Sequence, residues 1–183
     1  MNAFLTEKRR RPDGPLLALA VAAAYGPAKE WPVENYAQLI DLLTQTHRAE
    51  CVLVGAPSER RKSEEVIAQS KAGAVLATGE TSVGEALALL SLCAGFAGND
   101  SGSMHVAGAL GMPTVGIFGS TRADRTGPLG PLTQVLYKPL ECSPCLKRVC
   151  RFGQYDCLKQ IKPQDVLAAL ESLGVFNAVQ TSP

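Results

Sequence analysis

Histidine and long apolar runs are both scarce in this sequence. Only two histidines, His47 and His105, occur in 183 residues. A histidine-based zinc site or a Ser–His–Asp triad is therefore poorly supported, and no Gly-x-Ser-x-Gly elbow offers a nucleophile. A membrane-spanning helix needs about 20 consecutive apolar residues. The longest apolar run, Leu16 to Ala24, is strand-sized. No glycine-rich loop ends in Lys and Ser/Thr, which argues against a P-loop nucleotide hydrolase, and the spaced glycine fingerprint of NAD-binding domains is also absent. Net charge is scarce too: 18 Lys and Arg against 17 Asp and Glu leave +1, so nothing global points to nucleic acid.

The local exception is Lys8-Arg9-Arg10-Arg11. It reads as part of a solvated, disordered tail over residues 1–14, with a weak contact to anionic lipid as the alternative. Charge ahead of an apolar run mimics a signal peptide. The run is short, however, and leads into Tyr25-Gly26-Pro27-Ala28-Lys29 with no cleavage-like pattern. The expectation is a cytoplasmic protein, with its six cysteines reduced or metal-bound.

What is present is alternation. Strand-like runs at Leu16–Ala23, Cys51–Val54, Ala74–Ala77, Ala94–Gly98, Pro113–Phe118 and Gln134–Tyr137 are separated by helical spacings. The helices are expected at Val33–Thr46, Ser58–Ser70, Ser82–Cys93, Ser103–Leu110 and Pro163–Leu173. Ser82 and Glu85, three apart, fit a capping box. Pro163 and Gly174 punctuate the last helix. Such βαβ units predict an α/β, Rossmann-like, doubly wound parallel sheet over residues 15–176, with a second tail at 177–183.

Ligands of such sheets bind where strands end, so the loops after strands hold the candidates. Asn99-Asp100-Ser101-Gly102-Ser103-Met104-His105 opens a helix with small residues, which suits a diphosphate at free N–H groups. Asp100 would repel that phosphate unless it points elsewhere. Lys29 is a point charge for a phosphate, and Glu59 is an acceptor for a ribose diol. The permissive loop at Gly119-Ser120-Thr121 lies near the same place. Taken alone, each has a plainer reading: an N-cap Asp with a partly buried His, a surface Lys, a Glu favouring a helix dipole, a turn. Trp31 reads as a packing residue.

Together the segments are more specific. Tyr25-Gly-Pro-Ala-Lys29 with Trp31-Pro32, Val54-Gly55 with Glu59-Arg60, Asp100-Ser-Gly-Ser-Met-His105, and Gly111-Met-Pro113 through Gly119-Ser-Thr121 resemble the C-terminal domain of the ADP-heptose:lipopolysaccharide heptosyltransferases of glycosyltransferase family nine, closest to the heptosyltransferase II branch. The resemblance covers about residues 15 to 173. It implies one half of a GT-B enzyme, the half that binds an ADP-sugar, with an N-terminal acceptor domain outside this chain. It also implies an inverting heptose transfer to the lipopolysaccharide inner core that needs no metal for the leaving group.

Carried over, the donor site would be Lys29, Glu59, Thr81 near the adenine, Asp100, Ser101, Gly102 and His105. No carboxylate here is assignable as general base, so the isolated chain is expected to be inactive. Peripheral contact with the inner membrane is a further implication. Val21-Ala-Ala-Ala24 departs from the Pro-Gly common in relatives. The readings left open are a catalytically inactive nucleotide-sugar-binding module, a GT-B sugar epimerase, and a metal-dependent interaction domain.

Cys142-x2-Cys145-x4-Cys150-x6-Cys157 carries the last motif. Thiolates at this density suit structural zinc or iron, although only the first pair has a usual ligand spacing. Reduced thiols and one or two disulfides are the alternatives. Lys147, Arg148 and Arg151 lie among them and offer a contact for an anionic lipid surface, solvated charge being the default. Cys51 and Cys93 read as core residues.

Overall fold

A computed structural model describes residues 1–177. Helix α1 (Asn2–Lys8) precedes strand β1 (Leu16–Ala20), and α2 (Val33–His47) leads to β2 (Glu50–Leu53). Next come α3 (Arg60–Gln69), β3 (Val75–Leu76), α4 (Val83–Ser91) and β4 (Gly95–Asn99). The chain continues through α5 (Gly102–Ala109), β5 (Thr114–Phe118), the short α6 (Ala123–Thr126), β6 (Thr133–Tyr137), the short α7 (Asp156–Lys159) and α8 (Pro163–Ser172). The strands form one parallel sheet in the order β3-β2-β1-β4-β5-β6. The chain therefore winds outward from β1 in both directions, as the alternation of elements predicts.

The period of two along β1 divides the core. Leu17, Leu19 and Val21 face a layer built with Leu39, Ile40 and Leu43 of α2, Val66 of α3 and Leu170 of α8. Leu16, Ala18 and Ala20 face the other layer with Leu5, Leu89 and Leu90 of α4 and Met104 and Ala107 of α5. Each fully buried Leu contributes about 1.5–3 kcal/mol relative to exposure, so both layers are needed. Gly116 on β5 sets the distance of the second: a Cβ there would sit 2.7 Å from the Met104 sulfur. A glycine lets α5 lie close to the sheet, and so fixes where its N-terminus emerges.

Two expectations are corrected. Residues 1–14 are not a disordered tail in this structure. Leu5 is buried against the sheet, and the basic run folds back on Glu50 at the start of β2. Arg9 Nε donates to Glu50 Oε2 at 3.1 Å, and the Arg10 and Arg11 backbone N–H groups donate to the two carboxylate oxygens at 2.8 and 3.2 Å. The helix expected from Ser58 begins instead at Arg60. The turn begins at Ala56, whose N–H donates to Glu59 Oε2 at 2.8 Å. The capping box is formed: Ser82 Oγ accepts from Glu85 N, and the Glu85 carboxylate accepts from Ser82 N. The second expected tail lies outside the described residues beyond Asn177. Among the described residues no helix is long and apolar enough to cross a membrane.

Candidate functional site

In a parallel sheet every strand delivers its following loop to the same edge, and here those loops enclose a cavity of about 660 Å3. Ligand pockets typically measure about 300–1,000 Å3. Lys29, Glu59, Thr81, Asp100, Ser101, Gly102 and His105, drawn from four loops, all line it.

Two helices open onto this cavity, and their N-termini differ. The first turn of α4 is closed by its own Ser82–Glu85 box. Helix α5 has no side-chain cap, and Ser101 Oγ, at its N-cap position, is buried with no hydrogen-bond partner. The unsatisfied N–H groups of a first turn carry partial positive charge and suit an anion.

Asp100 is 5 % exposed, and its charge is met within the protein. Lys29 Nζ lies 2.6 Å from Asp100 Oδ2, which also accepts from Thr121 Oγ1 at 2.7 Å. His105 Nε2 stands 4.0 Å from Asp100 Oδ1 and is half exposed. Asp100 is thus turned to a lysine and a threonine. Lys29 is not a surface lysine. Its ammonium is held by Asp100 and lies 4.8 Å from the Tyr25 ring centroid. An ammonium has three donors, so the pair leaves donors for a second anion.

The loop carrying Lys29 is braced from below. Trp31 packs edge-on to Tyr36 at 4.8 Å, and its indole N–H donates to Ile161 O at 2.9 Å. Asn99 Oδ1 accepts from Trp31 N at 2.9 Å and from Tyr36 Oη at 3.0 Å. Burial pushes the Tyr36 hydroxyl well above its usual range, so it stays a neutral donor. Trp31 is the packing residue expected of it. Ala22 and Ala24, at the departure from the Pro-Gly pattern, line the cavity with bare methyls.

The apolar wall was not foreseen. Val83, Ala86, Leu87 and Leu90 of α4 line the cavity beside Thr81, and Val83 is 82 % exposed. Its one sequence signal is an apolar residue at N1 of a helix that already has a core face.

The four clustered cysteines line a second cavity of about 520 Å3, and all six cysteines are free. No disulfide forms. The expected zinc or iron finds no support: among the described residues no three or more His, Cys, Asp or Glu side chains are grouped to hold a metal ion. Cys150 instead accepts from backbone N–H groups, Tyr155 first, which lower its pKa, while burial and then the other three thiols raise that of Cys157. Cys51 and Cys93 are core residues. Burial pushes both thiols up, that of Cys93 to about 12.

A doubly wound domain with its cleft at the carboxyl ends of β1, β2 and β4 is the architecture of one half of a GT-B glycosyltransferase. Comparison with known proteins makes this particular. The chain belongs to glycosyltransferase family 9 (heptosyltransferase), whose model matches residues 3–156. Lipopolysaccharide heptosyltransferase 2 of Salmonella typhimurium is 33 % identical over 166 residues, 88 % of this chain and 47 % of that protein. The structure of Escherichia coli ADP-heptose lps heptosyltransferase II superposes with a TM-score of 0.80 at 29 % identity, covering 94 % of this chain and 50 % of that one. A family 9 glycosyl transferase from Veillonella parvula gives 0.81 at 26 % identity, covering 97 % and 50 %. The chain spans about half the length of the curated relatives it matches. These relatives lend no support to the epimerase or to the metal-dependent interaction domain.

Proposed function

We propose that this chain is the donor-binding half of an inverting heptosyltransferase that builds the lipopolysaccharide inner core, working in the cytoplasm at the inner membrane, with ADP-L-glycero-D-manno-heptose as donor. The observation that carries this reading is the uncapped N-terminus of α5 opening, beside Lys29, onto a cavity with an apolar wall at one side. The diphosphate would lie against the Ser101 and Gly102 backbone and the Lys29 ammonium. Glu59 Oε2 is engaged with Ala56 N, which leaves its other oxygen for the ribose. The adenine would rest on Thr81, Val83 and Leu87, and the sugar would reach Asp100 and His105.

In the transfer, an acceptor hydroxyl attacks the anomeric carbon from the face opposite the diphosphate. The carbon–oxygen bond to the diphosphate breaks, and ADP departs with the electron pair. Lys29 and the α5 N-terminus stabilise the charge growing on the leaving oxygen, the work a metal would otherwise do, so no cofactor is needed. The acceptor proton goes to a base outside this chain, and the lipopolysaccharide acceptor would be held there too.

Calorimetric titration of the 183-residue chain with ADP, UDP and GDP tests the reading. Selective ADP binding is expected. A folded chain that binds none of the three, or all three alike, sinks it.

A further inference from the structure

The loop between Cys145 and Gly153 has a surface that the donor site does not use. Leu146, Val149 and Phe152 are 56, 60 and 57 % exposed, three of the largest apolar exposures among the described residues. They recur every third residue, and exposed Lys147, Arg148 and Arg151 stand between them. No acidic residue occurs from Cys142 to Tyr155. Among the described residues none of the three cations forms an ion pair with a carboxylate. Arg151 lies instead 4.6 Å from the Phe152 ring centroid.

The loop is fixed to the rim of the donor cleft. Leu146 N donates to Ser120 O at 2.7 Å, Ala28 N donates to Arg148 O at 3.0 Å, and Tyr25 Oη donates to Leu146 O at 2.8 Å. A Cβ on Gly26, where φ is 138°, would meet Arg148 O at 2.8 Å, so the two loops are in close backbone contact. None of residues 146–152 lines the donor cavity.

We propose that residues Leu146–Phe152 form a membrane-docking surface that seats this domain on an anionic phospholipid bilayer, with the donor cleft held at the interface. Protein–protein interfaces cluster their apolar residues at a core depleted of charge. Here a cation flanks each apolar side chain instead. That interleaving fits a headgroup layer, where the apolar tips sink to the acyl boundary and the cations stay among phosphates. The role of this surface rests on the proposed function, because a lipid-anchored acceptor is what the cleft would then face. The surface itself rests on the loop alone.

Vesicle co-sedimentation of the 183-residue chain tests it, with phosphatidylcholine alone and with phosphatidylcholine mixed with phosphatidylglycerol. Binding to the mixed vesicles only is expected, and it should fall at high salt. Lys147→Glu/Arg151→Glu should weaken it at least about tenfold, as loss of several surface cations does, and Val149→Ser/Phe152→Ser should also weaken it. Both variants should keep the wild-type melting temperature and ADP titration. The proposal is overturned if the wild type ignores anionic vesicles, as it would were the loop a seat for another protein domain. Equal binding to neutral vesicles, or charge-reversed protein that sediments like wild type, overturns it too. Vesicle binding without nucleotide binding would keep this surface and sink the donor reading.

Discussion

The two ends of the sheet each bury a carboxylate beside a cation, and they use it differently. At the amino end Glu50 is 2 % exposed and accepts from two backbone N–H groups as well as from Arg9. At the carboxyl end Asp100 is 5 % exposed and is met by Lys29 and Thr121, which are both side chains. Backbone donors cannot leave without unfolding the segment. A lysine on its four-carbon stem can keep the aspartate and share its ammonium with an arriving anion. Burial of an acid therefore does not mark a site. What distinguishes Asp100 is that its partners are side chains and that it borders a cavity of about 660 Å3, against one of about 190 Å3 beside Glu50.

The largest effect expected of this contrast is at Glu50. Glu50→Ala removes the acceptor of Arg9 Nε and of two backbone N–H groups, while Arg9 Nη2 keeps Arg11 O and Gly14 O, and should cost about 2–3 kcal/mol of stability in urea unfolding. The folded fraction should bind ADP as before. Lys29→Ala should do the reverse, lowering ADP affinity about 10- to 100-fold by calorimetry, the worth of one charge-assisted hydrogen bond, with a smaller loss of stability because water in the cavity reaches Asp100. If Lys29→Ala proves the more destabilising of the two and leaves ADP affinity intact, the contrast is broken.

The smallest effect sharpens it. Asp41 on α2 also works at the amino end, accepting from Ser70 Oγ at 2.7 Å and Ala72 N at 2.8 Å. Burial pushes its pKa up, but the Ala72 N–H and the Ser70 hydroxyl outweigh burial and hold it below the ordinary 3.8. A depressed folded pKa means that its contribution is full above 3.8 and is lost as pH falls through the lower folded value. Asp41→Asn should therefore melt below wild type at neutral pH, and the gap should close in acid. A gap that persists in acid would show that Asp41 acts through shape rather than charge.

The sequence was most informative where chemistry is local. The Ser82–Glu85 box lies within one turn, and loops after parallel strands converge by topology, which is why the seven residues expected at a donor site share one cavity. Partners far apart in the chain were not legible. Glu50 is about forty residues from the basic run it anchors, so that run read as a tail. Lys29 and Asp100 were assigned to one ligand, but nothing in either loop showed that they would meet each other. Strand limits were also set by neighbours. The apolar run from Leu16 continues to Ala24, yet strand pairing ends at Ala20, opposite Gly98 of β4, and beyond it Ala22 and Ala24 line the cleft.

The Tyr25 ring lies within cation–π reach of two charges, Lys29 at 4.8 Å and Arg148 at 5.2 Å. One belongs to the donor cavity and the other to the exposed basic loop. A ring shared in this way is one contact common to the two proposed sites, and any coupling through it is reciprocal. Whatever factor an occupied loop applies to donor affinity, a bound donor applies to the loop. Where that factor differs from one, a nucleotide in the proposed site would also alter how firmly the loop holds a bilayer.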